Sequence, residues 1–322
     1  MNNIGLNLSS LNYYISKTKN RSKIIEEFSN VVLEKKIKGL EFYPSSFFNK
    51  NEKDKKMKIY KNLNSEGLFY ILDCNKIFDI SAIKDLIFES KYTKKRVIVI
   101  LLSKILECKR HLIKKDWNEY IEDSIKFLKK LEPVARDNNI KIAIENHQDF
   151  DSNDFLKILD NFSDENIIGL NFDIGNAFAV CEDPMIFCEK IVHKINNVHI
   201  KDYKINETKE GFLLSNCSIG KGSVNLKPIL KYIEKVKPNI TKMIEPGQLT
   251  PRHIKKNKKF FWTKIGKRLI DEHKQFERVL KKSMEKNKIN FYPILDEKKK
   301  DKEIFDFLKN QIYESINFCK RI

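Results

Sequence analysis

Four residues able to bind a metal stand at or next to the ends of four short apolar runs: Glu145, Asp173, His199 and Glu245. The runs read Lys141-Ile-Ala-Ile-Glu145, Ile167-Ile-Gly-Leu-Asn-Phe-Asp173, Asn197-Val-His-Ile200 and Lys242-Met-Ile-Glu245. Short β-branched runs of this kind are strands. Three carboxylates and one imidazole suit a single divalent cation such as Mn, Mg, Co or Zn. A cation of that kind polarises a carbonyl and its neighbouring hydroxyl, so that the proton on the adjacent carbon becomes removable and an enediolate forms beside the metal. The ligands must be rigid, which strand ends provide better than loops.

The elements that must position them alternate along the chain. Four further strands are expected at 4–8, 39–43, 68–72 and 96–102, and helices near 22–36, 51–64, 80–90, 115–137, 152–161, 183–194 and 225–236. No two strands are expected to be joined by a hairpin, so the sheet is parallel. Eight strands close a (β/α)8 barrel, the architecture that brings strand C-termini to one face and places chemistry there. An open doubly wound sheet would call for a glycine-rich first loop, which the first strand lacks. The first three candidate ligands are 28 and 26 residues apart, one helix-plus-strand unit each; the 46 residues before Glu245 hold an extra loop at 203–224.

The barrel is expected over 1–252, followed by a basic, helical extension over 253–322 ending in an amphipathic helix at 296–319. Of the net charge of +18, residues 252–322 carry +11, from 21 Lys+Arg against 10 Asp+Glu. A solvated helical tail accounts for this better than a nucleic-acid surface. The tail can close the barrel, cover the site or build a homo-oligomer contact. No apolar run is long enough to span a membrane. The N-terminus lacks a signal-peptide pattern, and six cysteines without a Cys-x-x-Cys pair point to a reduced, cytoplasmic protein.

The stretches Ile144-Glu-Asn-His147, Phe172-Asp-Ile-Gly-Asn176, Val198-His-Ile-Lys-Asp202, Ile219-Gly-Lys-Gly222 and Ile244-Glu-Pro246, taken in order, resemble the xylose isomerase-like TIM-barrel superfamily of sugar phosphate isomerases and epimerases. The resemblance is close over strands five to eight and holds elsewhere only in pattern. It implies a metal held by Glu145, Asp173, His199 and Glu245, with Glu145 and Glu245 also catalytic. It implies a small sugar or sugar-acid substrate and isomerisation or epimerisation through an enediolate. A decarboxylase or dehydratase on a keto-sugar acid is the alternative on the same scaffold. An epimerase of this kind uses a second acid shortly after the strand-five ligand, where the nearest acids here are Asp149 and Asp151. An endonuclease IV-like nuclease belongs to the same superfamily but uses three metals and further histidines at strand ends. The segments 72–75, 101–103 and 211–219 contain none.

Around the ligands, His147 is a candidate acid/base or substrate-binding residue, with a structural role as the alternative. Lys201 shares a strand face with His199 and can stabilise an oxyanion, or form a salt bridge to Asp202 or Glu145. Asn176 can bind a substrate hydroxyl or cap a helix. Glu41 can bind sugar hydroxyls or stand behind the site. Arg252 can fold over the mouth and read a carboxylate. Gly220-Lys-Gly222 is read as a structural turn.

Overall fold

A computed structural model describes residues 3–162, 167–247, 249–265, 270–286 and 301–322. Eight parallel strands close a barrel: β1 (Ile4–Asn7), β2 (Gly39–Phe42), β3 (Phe69–Cys74), β4 (Val97–Ile100), β5 (Lys141–Glu145), β6 (Ile168–Asp173), β7 (Ile195–Ile200) and, after the insertion described below, β10 (Lys242–Ile244). They follow one another around the barrel in chain order, and β10 pairs with β1 to close it. Helices at Ser22–Glu34, Lys53–Ser65, Ile80–Ser90, Trp117–Asp137, Ser152–Leu159, Pro184–Ile191 and Leu226–Val236 separate the strands. The observed architecture is therefore the (β/α)8 barrel, and the element boundaries differ from the expected ones mainly at their ends.

The barrel interior is layered, and the layers set the site. At the bottom, Phe69, Ile71, Val97, Val99, Ala143 and Met243 form an apolar cluster of their own. Gly39 leaves the room: a Cβ there would lie 2.1 Å from the Phe69 ring. Side chains on a strand alternate between faces, so the residues two positions past these plugs also point inward. Ala143 leads to Glu145, Met243 to Glu245 and Ile71 to Asp73. Between plug and mouth lies an amide layer. Asn197 Nδ2 donates to Asn171 Oδ1 at 3.0 Å and to Glu41 Oε2 at 3.1 Å, while Asn7 Nδ2 donates to Glu41 Oε1 at 2.8 Å.

The stretch expected as a loop at 203–224 is in part a hairpin, contrary to the expectation that none joins two strands. Strands β8 (Tyr203–Thr208) and β9 (Gly211–Asn216) pair antiparallel, and β11 (Arg252–Ile254) adds to β9. The hairpin buries Tyr203, Ile205, Phe212 and Leu214. It rises from the mouth rather than entering the barrel, which is why it leaves the count of eight intact.

Past the hairpin, the Asp202 carboxylate accepts backbone N–H groups from Gly220 and Gly222, each at 2.9 Å, and from Val224 at 3.1 Å. The Gly-Lys-Gly turn is thus a nest filled from within the chain, matching its reading as structural. Gly220 sits at φ +86°, and a Cβ on it would meet the Phe318 ring at 2.2 Å.

The last helix, Asp301–Cys319, buries Ile304, Leu308, Ile312 and Ile316. It lies against β10 and the turn after β1, with Tyr14 stacked on Phe305 at 3.8 Å and Ser315 Oγ accepting the Ile219 N–H at 2.9 Å. Residues 296–300 of the expected helix, and Pro293, lie outside the described residues. Another helix, Ile270–Lys286, packs on β8, and its Phe276 lies between the rings of Phe178 and Phe212. Among the described residues, no helix is long and apolar enough to cross a membrane. All six cysteines are buried, and none forms a disulfide.

Candidate active site

Glu145, Asp173, His199 and Glu245 offer ligand atoms that all lie within 4.8 Å of one another, and all four side chains are buried. In three of the four, one polar atom is tied to the protein and the other lacks a well-formed hydrogen bond. His199 Nε2 meets Glu41 Oε1, leaving Nδ1 turned to the Glu245 carboxylate without a well-aligned hydrogen bond. Asp173 Oδ2 accepts from Asn176 Nδ2 at 2.7 Å and from Lys201 Nζ at 2.5 Å, leaving Oδ1. Glu245 Oε1 accepts from Ser9 Oγ at 2.9 Å, leaving Oε2 without a well-aligned hydrogen bond, 3.0 Å from His199 Nδ1 and 3.1 Å from the charged Lys201 Nζ. Buried polar atoms are normally paired, so a cluster of such orphans calls for a partner from outside the chain. Three oxygens and one imidazole nitrogen, held from behind by Glu41, Asn176, Lys201 and Ser9, fit a divalent cation.

The electrostatics agree. Burial pushes the Glu145 carboxyl up to about 8, with Glu245 and Asp173 adding to the shift. Burial also raises Asp173. Burial would raise Glu245 too, but Lys201 and then His199 hold it low. Against burial, Asp173 and then Glu245 keep Lys201 charged; likewise Glu41 and then Glu245 raise His199. Carboxylates packed so that their charge is costly favour a cation among them. Glu41, fully buried, has both oxygens engaged by Asn7, Asn197 and His199 and lies behind the site.

His147 is partly exposed at the mouth, and its Nδ1 has no partner. Burial, followed by the charge of Lys201, lowers its pKa to about 4, so the ring is neutral at neutral pH. Arg252, on β11, is near enough for its charge to act on both His147 and Tyr203. Asn176 is buried and locked: it accepts from Tyr203 OH at 2.8 Å while it donates to Asp173.

The acids nearest after β5 are used by the fold. Asp151 caps the helix at Ser152 in a capping box with Asp154, accepting the N–H groups of Asn153 at 3.1 Å and Asp154 at 3.0 Å. Asp149 accepts from Ser103 Oγ and from the Phe150 N–H. Both lie beside Arg110, a fully buried guanidinium that donates to Asp149 O at 2.6 Å, Asp154 Oδ2 at 2.7 Å and Lys264 O at 3.0 Å, and sits over the Trp117 ring. Sequence reasoning did not single out Arg110, because its partners come from distant loops. It also missed Asp73, Asn7 and Ser9, although the alternation Phe69, Ile71, Asp73 points to the first.

Residues 77–261, more than half of the chain, match the family described as Xylose isomerase-like TIM barrel. An inosose dehydratase from Clostridium botulinum is 29% identical over 142 residues, covering 40% of this chain and 46% of that protein. A 3-oxo-isoapionate decarboxylase from Pectobacterium atrosepticum is 26% identical over 126 residues, 38% of this chain and 46% of that protein. The chain thus spans less than half the length of these curated relatives. Among solved structures, a D-tagatose 3-epimerase-like protein superposes with a TM-score of 0.56 at 18% identity, covering 88% of this chain and 97% of that one. The 3-keto-D-glucoside 4-epimerase of E. coli gives 0.57 at 11% identity, covering 87% and 98%. At these identities the superpositions establish the fold.

Proposed function

Because the chain belongs to the xylose isomerase-like TIM barrel family, we propose that it is a divalent-metal-dependent lyase that removes water from a keto-cyclitol or keto-sugar acid. Glu145, Asp173, His199 and Glu245 are the residues that would hold one divalent ion. When bound, the ion would act as a Lewis acid on the substrate's carbonyl oxygen and make the neighbouring C–H acidic.

The observation that carries the reading is a pairing of facts about bases. One neutral imidazole, His147, has an unpartnered Nδ1 beside the cluster, while Asp149 and Asp151 are consumed by a hydroxyl contact and a helix cap. Two-base epimerisation needs a second acid on the opposite face of the carbon, and the two acids nearest after β5 are not open for that role. Elimination does not: His147 takes the proton from carbon, then returns it to the departing hydroxyl, and water leaves with the proton count balanced. Lys201, held charged, lies where it can stabilise the developing oxyanion. Glu41 orients His199, and Asn176 orients Asp173, so both act behind the ligands rather than on substrate. Arg252 at the rim would meet a substrate carboxylate. The named activities of the relatives, a dehydratase and a decarboxylase, support a lyase ahead of the isomerase or epimerase expected from the sequence.

The test is turnover of an inosose and of keto-sugar acids with Mn, Co, Mg or Zn, followed by NMR in D2O. Loss of water to an enone is the expected result. Solvent deuterium entering the carbon with inversion, and no elimination, would make the protein an epimerase.

A further inference from the structure

Asp73 ends the inward row of β3, two positions beyond Ile71 of the barrel plug. In the closed barrel β3 lies across from β7, which carries His199 and Lys201. Its side chain is 3% exposed, and neither carboxylate oxygen has a hydrogen-bond partner. Burial, then the charge of Glu41, with Glu145 and Glu245 beyond it, push its carboxyl well above the usual range, as expected of a group inside the mouth. Beside it, at the end of β2 and likewise inward, is Tyr43, whose hydroxyl is raised by burial and then by Glu145 and Asp73. Among the described residues, the acids whose charge acts on Asp73 have assignments: Glu145 and Glu245 converge with Asp173 on one point, and Glu41 is consumed by His199 and two asparagines. A buried carboxyl with two open oxygens is costly to keep and needs hydroxyl or N–H partners from outside the chain.

We propose that Asp73, with Tyr43 beside it, is the specificity-determining contact for the substrate's hydroxyls remote from the metal-bound end, one carboxylate oxygen for each of two adjacent hydroxyls. The assignment rests on the lyase reading for the identity of the substrate, but not for its own test. Such a contact would favour a polyol over a simple ketone, because an analogue lacking the hydroxyl leaves the buried carboxyl unpaired.

Asp73→Asn and Asp73→Ala are compared with the wild type in the metal-loaded protein, by metal content, thermal midpoint, calorimetric binding of myo-inositol and kcat/KM on an inosose. The expected outcome is unchanged metal content, a midpoint unchanged or raised, and polyol affinity and kcat/KM lowered about 100-fold. For at least one monodeoxy-inosose the wild type should lose the same factor, and Asp73→Ala should lose nothing more. Binding equal to the wild type's in both variants, a wild type that binds no polyol, a lost metal or a lowered midpoint would each overturn the assignment. A wild type that binds myo-inositol through Asp73 yet releases no water from any inosose would instead sink the lyase reading alone.

Discussion

Glu41 on β2 and His199 on β7 meet across the barrel interior, carboxylate to Nε2, with neither side chain exposed by more than 1%. That contact fixes which imidazole nitrogen faces the cluster and which carries the hydrogen bond. A carboxylate behind a ligating histidine both orients the ring and makes it more basic. Glu41→Gln keeps the shape and removes the charge. It should weaken divalent-metal affinity by about 10-fold to 100-fold with the barrel still folded. Metal titration checks this, and an unchanged affinity would remove Glu41 from the supporting shell.

Metal stoichiometry is a second test. The ligand cluster implies one divalent ion per chain, and elemental analysis after reconstitution should find about one. Three would point back to the nuclease-like arrangement. Glu245→Gln, which removes the charge from a ligand oxygen, should abolish turnover while circular dichroism remains that of the wild type.

The affinity for that ion should depend on pH in a definite direction. Glu145 holds its proton up to about 8, because burial disfavours its charge. A cation must displace that proton, so below pH 8 the apparent affinity should fall by about tenfold per unit of pH. The same shift acts oppositely on the metal-free fold. The carboxyl binds its proton more tightly folded than unfolded, so its stabilising contribution is full below about 4.5, the ordinary value, and is lost as pH rises through 8. Affinity that is flat between pH 6 and 8 would contradict the assignment of Glu145 as a ligand.

Arg110 offers a stability test away from the chemistry. It is 1% exposed and donates to Asp149, Asp154 and Lys264. Arg110→Ala strands Asp154 and unpins the loop after β5. Removing one partner of a buried ion pair costs about 3–5 kcal/mol, which denaturant unfolding would register directly. A loss under 1 kcal/mol would mean that water replaces the guanidinium.

Truncation at residue 300 removes the helix that buries Ile304, Leu308, Ile312 and Ile316 against β10 and the turn after β1. Ser9, which holds Glu245, lies in that turn. The truncated chain should therefore lose metal binding and cooperative unfolding together. Full metal binding by the shortened protein would show the helix to be peripheral.

The strand count, the parallel order and the four clustered residues were legible in the chain because each depends on local periodicity. An apolar run ending in a ligand needs no distant partner to be recognised, and alternation carries the side of each residue. The hairpin at 203–216 was not legible in this way: a loop is what the sequence leads one to expect there, and β9 buries Phe212, Leu214 and Ser215 without strict alternation. What the sequence could not assign was which chemically capable residue faces substrate and which faces protein. Glu41 and Asn176 are types that bind sugars, yet here their atoms are engaged by Asn7, Asn197, His199, Asp173 and Tyr203. Asp149 and Asp151 are types that act as bases, yet a hydroxyl and a helix terminus hold them. Asp73 drew no notice in the sequence, and three-dimensional packing left both of its oxygens unpaired. Residue type and local period determined where chemistry-bearing groups stand along each strand. Hydrogen-bond occupancy determines which of them are available to a ligand, and for Glu41 and Glu245 it depends on neighbours such as His199 and Ser9, 158 and 236 residues away, that only the closed barrel brings together.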